Sequence, residues 1–369
     1  MKFYQLSPGE RRAKLKKAGY ELAAISPQQL ASLNQFSENV IGGLTLPIGL
    51  VQNLVVNGRK WLVPLATEEP SVVAAANHGA KVFAQNGGVT ATSARPGIWG
   101  QIWLQANADF DWPVFKKRWP AFLKIANQEF ASLVGHGGGV RRIVGRCDHD
   151  LIKLRVLIDP AEAMGANKVN SICEFLAVQM AKENGVQEKL FAIVSNYPSQ
   201  FAQAEVTLKA DEQVGRKIAL LSKLGNEDPY RAITNNKGIL NSVAGILLAT
   251  GNDTRAVALA CGLQAGQHSL SKWRYADGAL HGWLKLPLAL GVVGGSIGAR
   301  PDVAQNMNLL GRPSAQELAQ IIVACGLASN WAALNAIATA GIQAGHMKLQ
   351  ARATRAAKMR KEQQNDDRD

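Results

Sequence analysis

The sequence predicts an α+β fold in which a small, sheet-rich segment interrupts a larger, helix-rich body. Aromatic and β-branched runs dominate from Ile102 to Asn196, and alanine-rich runs with helical spacing dominate after it. A hydrophobic content of 47% with 35 glycines favours packed cores over disorder, and 369 residues leave room for two domains.

Taken in order, PQQLASLNQF reads as a short helix. NLVVNGRKWLVPLA reads as a hairpin, because two β-rich runs flank Asn57-Gly58, a pair that accepts the positive φ of a tight turn. EEPSVVAAANHGAKVFAQNGG opens on acidic residues, carries Pro70 in a first helical turn and stops at Gly87-Gly88, so its carboxylates sit at a helix N-terminus. In the inserted segment the strand-like IWLQANADF, VRRIVGRC, LIKLRVLID and LFAIVSN alternate with the helical WPVFKKRWPAFLKIANQEFASLV. KGILNSVAGILLAT, NDTRAVALACGLQAG and the long run from Ser314 read as alanine-rich helices, and no internal repeat is evident. The expected organisation is a large domain made of residues 1–101 and 197–330, a small domain of 102–196, and a C-terminal helical segment of 331–369 ending in the solvated KEQQNDDRD.

A formal net charge of +13 suits nucleic acid, an anionic membrane or a phosphate-bearing small ligand. With no RNP-like aromatic cluster, zinc-finger spacing or basic heptad region, no nucleic-acid partner is expected. Cys147, Cys173, Cys261 and Cys325 stand far apart without a CxxC pair, and the N-terminus lacks the apolar core of a signal peptide, so the expected location is the cytoplasm. The greasy stretch LHGWLKLPLALGVVGGSIGA is broken by Lys285, Pro287 and glycines, and no transmembrane span is expected.

Chemistry concentrates in a few places. TNNKGILNSVAGILLATGND isolates Lys237 and Asp253 around an apolar, amide-rich run. A lysine in a low-dielectric pocket resists charge and a nearby carboxylate restores it, so the two are candidates for a pair that stabilises a developing oxyanion; an ordinary structural salt bridge stays open beside that reading. In Glu68-Glu69-Pro70-Ser71, a carboxyl group at an apolar helix start can serve as proton donor, or can simply favour the helix dipole. His346, among small residues on a late helix, can serve a leaving group as acid. The glycines of ATSARPG, GHGGGVRR and GVVGGSIGAR permit anion contact with backbone N–H groups, yet none forms a GxGxxG fingerprint. Cys147-Asp148-His149-Asp150 lacks a second ligand pair to close a site, so it reads as a turn and no metal is expected.

In this order, ENVIGGLTLPIGL, VPLATEEPSVVAAA, EAMGANKVN, VSNY, DPYRAITNNKGILN, ATGND and GIQAGHM resemble the soluble bacterial (class II) branch of 3-hydroxy-3-methylglutaryl-CoA (HMG-CoA) reductase over nearly the whole chain. The resemblance implies a helix-rich substrate-binding domain, a ferredoxin-like, non-Rossmann nucleotide-binding insertion, and a short C-terminal helical flap. It implies reduction of HMG-CoA to mevalonate and coenzyme A, or the reverse, with two NADPH or NADH, in a homodimer or larger assembly whose active sites are shared. By the same resemblance Lys237 stabilises the thioester and aldehyde oxygen, Asp253 tunes it in a network reaching Glu69 and Asn241, Glu69 supplies a proton at the aldehyde stage, and His346 protonates the departing thiolate. Ser71 and Arg231 match positions that hold the substrate carboxylate, and Asn196 a polar position near substrate or nucleotide. Glu162 stands where the family's cofactor motif begins with aspartate, while Met164, Gly165 and Asn167 match. Arginines near an adenosine ribose favour the extra phosphate of NADP, and Arg141, Arg142 and Arg146 tilt the expectation to NADPH. The other readings of the same residues are a Schiff-base lysine enzyme and a non-catalytic coenzyme A-binding or anion-binding protein.

Overall fold

The computed structural model describes residues 1–295 and 297–341. The chain divides into two compact units, Met1–Pro47 and the residues from Ile48 on. The first unit holds α1 (Pro8–Lys17) and α2 (Pro27–Leu33), N-capped by Ser7 and Ser26. Its centre is Arg11, only 5% exposed, whose guanidinium donates to the carbonyls of Phe3, Tyr4 and Val40 and to Asn34 Oδ1. Those four acceptors are what makes burial of the charge tolerable.

The second unit opens with the expected hairpin, β1 (Ile48–Val56) and β2 (Arg59–Ala66). Both turn residues are left-handed, Asn57 at φ 51° and Gly58 at φ 80°, the geometry that matches strand twist in a two-residue loop. Then follow α3 (Pro70–Gln85), β3 (Thr90–Ala94), β4 (Ile98–Ala106), α4 (Trp112–Lys117), α5 (Trp119–Glu129), α6 (Ala131–Gly135), β5 (Gly139–Asp148), β6 (Leu151–Asp159), α7 (Ala166–Met180) and β7 (Val186–Val194). The chain continues through β8 (Phe201–Lys209), α8 (Glu212–Glu227), α9 (Pro229–Ala249), α10 (Thr254–Ala265), β9 (Ser271–Ala276), β10 (Ala279–Pro287), α11 (Pro301–Leu309) and α12 (Ala315–Ala338).

Two cores result. From Ile98 to Val194 the order is strand, helices, two strands, helix, strand, and the sheet runs β5-β6-β4-β7, all antiparallel. That is the ferredoxin-like arrangement. One face buries Ile102, Leu104, Ile152 and Leu154 against Phe122, Ile172 and Leu176 of the helices; strand alternation turns the other face outward.

The larger core lies around α12, with the sheet β3-β8-β10-β9, α3, α9 and the hairpin about it. By length and composition α12 could cross a membrane, but 78% of its apolar window is buried inside the protein. It is a core helix, apolar on every side because it is covered on every side. Helix α3 approaches it closely enough that a Cβ on Gly79 would lie within 2.1 Å of the Ala328 carbonyl oxygen.

Sequence spacing extends the last helix without a break, but α12 ends at Ala338, where Thr339 leaves helical geometry and Gly341 takes φ 82°. It also runs unbroken through position 330, so the expected boundary between 330 and 331 falls inside one helix.

Polar groups lock α9 in place. Asn330 Nδ2 donates to Asn235 Oδ1 (2.8 Å), and Trp273 Nε1 donates to Asn330 Oδ1 (2.8 Å). Asn235 Nδ2 donates in turn to Ser269 and Ser271, while Asn236 spans the carbonyl of His268 and the N–H of Leu270. Asn330→Ala strands the Trp273 N–H and the Asn235 carbonyl inside the core, so urea unfolding is expected to show a loss of roughly 2–3 kcal/mol.

Candidate active site

Helix α9 presents Lys237 and Asn241, one turn apart, to a cavity of about 690 Å³ walled also by Thr67, Glu68, Glu69 and the apolar side of α10. Glu69 is the N-cap of α3 by backbone position, yet its side chain makes no capping bond. Pro70 fills the first helical position, where its missing N–H costs nothing, and the Glu69 carboxylate goes to side-chain partners instead of the helix N–H groups. That carboxylate accepts from the Ser71 hydroxyl and lies 3.7 Å from Lys237 Nζ. The backbone N–H of Glu69 donates to Thr67 Oγ1.

Two expectations need correction. Lys237 does not pair with Asp253 in this chain: its salt bridge among the described residues is to Glu69. Lys237 sits near the middle of α9 while Asp253 lies beyond its C-terminal end, and at about 1.5 Å per residue the helix from Lys237 to Ala249 alone spans about 18 Å. Nor is the lysine held in a dry pocket, since its side chain is 66% exposed. It stands on the outer face of a surface helix, whose Ile233 and Leu248 are also exposed.

Asp253 serves elsewhere. It N-caps α10, accepting from the N–H groups of Arg255 and Ala256, and lines a second cleft of about 550 Å³ together with Met164, Gly165, Asn167, Lys168 and Arg255. There Gly165 takes φ 98° as the N-cap of α7 and provides no side-chain cap. The first N–H groups of that helix therefore face the cleft with their partial positive charge unspent.

Glu162 points away from this opening. Its Oε2 accepts from the N–H of Ala315 at the start of α12 (2.7 Å), a reach suited to the longer side chain. Behind it, Arg95 donates to the carbonyls of Ala161 and Leu290; burial pulls its guanidinium below the ordinary arginine value, opposed by Glu162 and Asp159. The pair fixes the loop that presents Met164 and Gly165.

Other expected residues are scattered. Asn196 lies with Met164 around a small hollow of about 30 Å³. Arg231 shares α9 with Lys237 but does not line its cavity; its Nε is buried without a partner, and burial lowers its pKa against the pull of Asp228. Arg146 lies on the outward face of the β5-β6-β4-β7 sheet, beside Asp148 and Lys153, because alternation along β5 turns it away from α7. It is not part of the Met164–Asn167 cleft. Arg141 pairs with Asp159. Of Cys147 to Asp150, expected as a turn, Cys147 and Asp148 end β5 and His149-Asp150 make the β5–β6 turn; His346 lies outside the described residues. Sequence reading missed Thr67, Lys168 and Arg255, although each sits beside a residue it did select.

The family model for hydroxymethylglutaryl-coenzyme A reductase matches residues 7–351. The chain is similar to the 3-hydroxy-3-methylglutaryl-coenzyme A reductase of Archaeoglobus fulgidus, 35% identical with 95% of this chain and 85% of that protein covered. It is also similar to the probable reductase of Borreliella burgdorferi, 37% identical over 85% of this chain and 75% of that one. Among solved structures, the class II enzyme of Streptococcus pneumoniae bound to NADPH in open conformations superposes with a TM-score of 0.79, at 37% identity, covering 94% of this chain and 90% of that one.

Cys261 is part of the cavity wall, and burial pushes its thiol up to about 12, as it does for Cys173 and Cys325. A disulfide reagent at mildly alkaline pH is expected to titrate no thiol but Cys147 in the folded chain and all four after denaturation.

Proposed function

The chain belongs to the hydroxymethylglutaryl-coenzyme A reductase family, and from that premise we propose that the cavity beside Lys237 is where it reduces 3-hydroxy-3-methylglutaryl-CoA to mevalonate and free coenzyme A. The observation that carries this is the Lys237–Glu69 pair at 3.7 Å, an ammonium and a carboxyl group side by side at the mouth of a cavity of ligand size. The ammonium stabilises negative charge developing on the thioester and aldehyde oxygens. Asn241 extends the polar edge one helical turn on. Glu69 supplies a proton at the aldehyde stage, and the Ser71 hydroxyl holds its carboxyl group in place. Arg231, on α9 outside the cavity wall, is the matched position for the substrate carboxylate, a group that suits its planar fork. His346 protonates the departing thiolate.

Two molecules of reduced nicotinamide cofactor, bound in turn, would supply one hydride each. The Gly165 cleft fits the cofactor's phosphates, because it joins an uncapped helix N-terminus to Lys168 and to Arg255, the latter paired with Asp253 at 3.4 Å in the same wall. Met164, Asn167 and Asn196 border the same region, and Glu162 acts on it through the loop it fixes. NADPH, the cofactor of the S. pneumoniae structure, is the reading for this chain, on that likeness and without Arg146. The four free cysteines agree with a reducing, cytoplasmic setting.

Asp253 reaches Lys237 only if it comes from a second copy. Tyr230, Ile233, Leu259 and Leu263 along α9 and α10 are 85%, 70%, 72% and 60% exposed, an apolar strip that a homodimer would cover. Such a contact would also exclude water from the lysine.

Purified protein with HMG-CoA and NADPH is expected to oxidise cofactor and release thiol. Lys237→Met should lose at least about 100-fold in turnover while stability moves by less than about 1 kcal/mol, since the pair is exposed. Mixing equal amounts of inactive Lys237→Ala and Asp253→Ala proteins should restore about a quarter of wild-type activity, because half of the dimers are mixed and each has one intact site; no recovery after verified subunit exchange would refute the shared site. For His346→Gln, reduction of free mevaldehyde should survive better than thioester reduction, and equal loss would contradict the thiolate role.

A further inference from the structure

The outward face of the β5-β6-β4-β7 sheet belongs to neither the cavity nor the cleft, and it carries a pattern of its own. Cross-strand pairing aligns Arg146, Lys153, Trp103 and Phe191 in one row. Arg155 and Gln101 lie in the next. The rings of Trp103 and Phe191 meet edge to face at 6.3 Å, and Phe191 is 66% exposed. Beside them opens a hollow of about 480 Å³ bordered by Gln101, Trp103, Arg146, Lys153 and Arg155. Asp148 sits between Arg146 and Lys153 and accepts from both, Glu188 stands opposite Gln105 at the outer end, and no carboxylate among the described residues pairs with Arg155.

We propose that this face binds single-stranded nucleic acid, with bases stacked on Phe191 and Trp103 and phosphates on Arg146, Lys153 and Arg155. A four-stranded βαββαβ sheet with the exposed Phe191 and the half-buried Trp103 on adjacent strands is a platform of the right width for two or three bases. The rows decide between occupants. A second copy docking here through a twofold axis would set like charges against each other. An acidic peptide would satisfy the cations but leave the exposed ring without a stacking partner, whereas a nucleotide brings a π-face and a phosphate together. The net charge of +13 adds long-range attraction. No local cluster in the sequence discloses this surface, because the rings come from β4 and β7, far apart along the chain. The inference is independent of the proposed reaction.

The test is fluorescence anisotropy of the full chain with labelled single-stranded RNA and DNA of about twelve nucleotides, across a salt series. Saturable binding that weakens with salt is expected, and it should fall about tenfold in Phe191→Ala. Arg155→Glu should bind more weakly still and show a shallower salt dependence. Both substitutions are at exposed positions and should leave cofactor oxidation unchanged. Absence of binding, or binding indifferent to both substitutions, would overturn the proposal. So would tighter binding of a labelled oligoglutamate that Phe191→Ala leaves intact, since that outcome assigns the face to an acidic protein.

Discussion

The rotation of α9 about its own axis is the constraint on which the site rests. A helix turns 100° per residue, so a slip of one position would carry Lys237 out of line with Glu69. Asn235 on the opposite side of the helix and Asn236 about a quarter turn from the lysine prevent it, by bonds to Asn330, Ser269, Ser271 and the backbone around His268. Apolar packing alone is non-directional and tolerates small rotations. Buried amides do not, because each lost partner leaves an unsatisfied group in a dry interior. The asparagines of TNNKG are thus the register pins for the lysine that follows them.

Charge is arranged on the same logic of ends and faces. Glu69, Asp253 and Gly165 all begin helices, and what distinguishes them is whether the side chain caps. Asp253 caps α10 through Oδ1, which accepts from both backbone N–H groups. Glu69 does not, and so remains available to Lys237. Gly165 cannot, and so leaves the start of α7 open to an anion. One kind of local structure yields three different chemical tools.

The insertion shows the two sides of a strand serving unrelated ends. Even-numbered positions of β4, from Ile98 to Ala106, build the core with α5 and α7, while Trp99, Gln101 and Trp103 face out. Because the period is two, every residue recruited to the outer face is withheld from the helices and from the Gly165 cleft. Arg146 illustrates this: near in sequence to a cofactor motif, it is on the wrong side of the sheet to join it.

By itself the sequence determined the local pieces. Asn57-Gly58 marked the hairpin, Pro70 and Gly87-Gly88 bounded α3, and the change of period at Ile102 marked the insertion, since each depends on backbone preferences within a few residues. Motif resemblance determined the family and selected Glu69 and Lys237, which the fold brings together. It could not say that about three rigid turns of α9 hold Lys237 away from Asp253, that Glu162 is spent on α12, or that Arg146 faces outward. Those outcomes depend on where an element ends and which way its faces turn once the core has packed, and burial of apolar area by distant segments decides both.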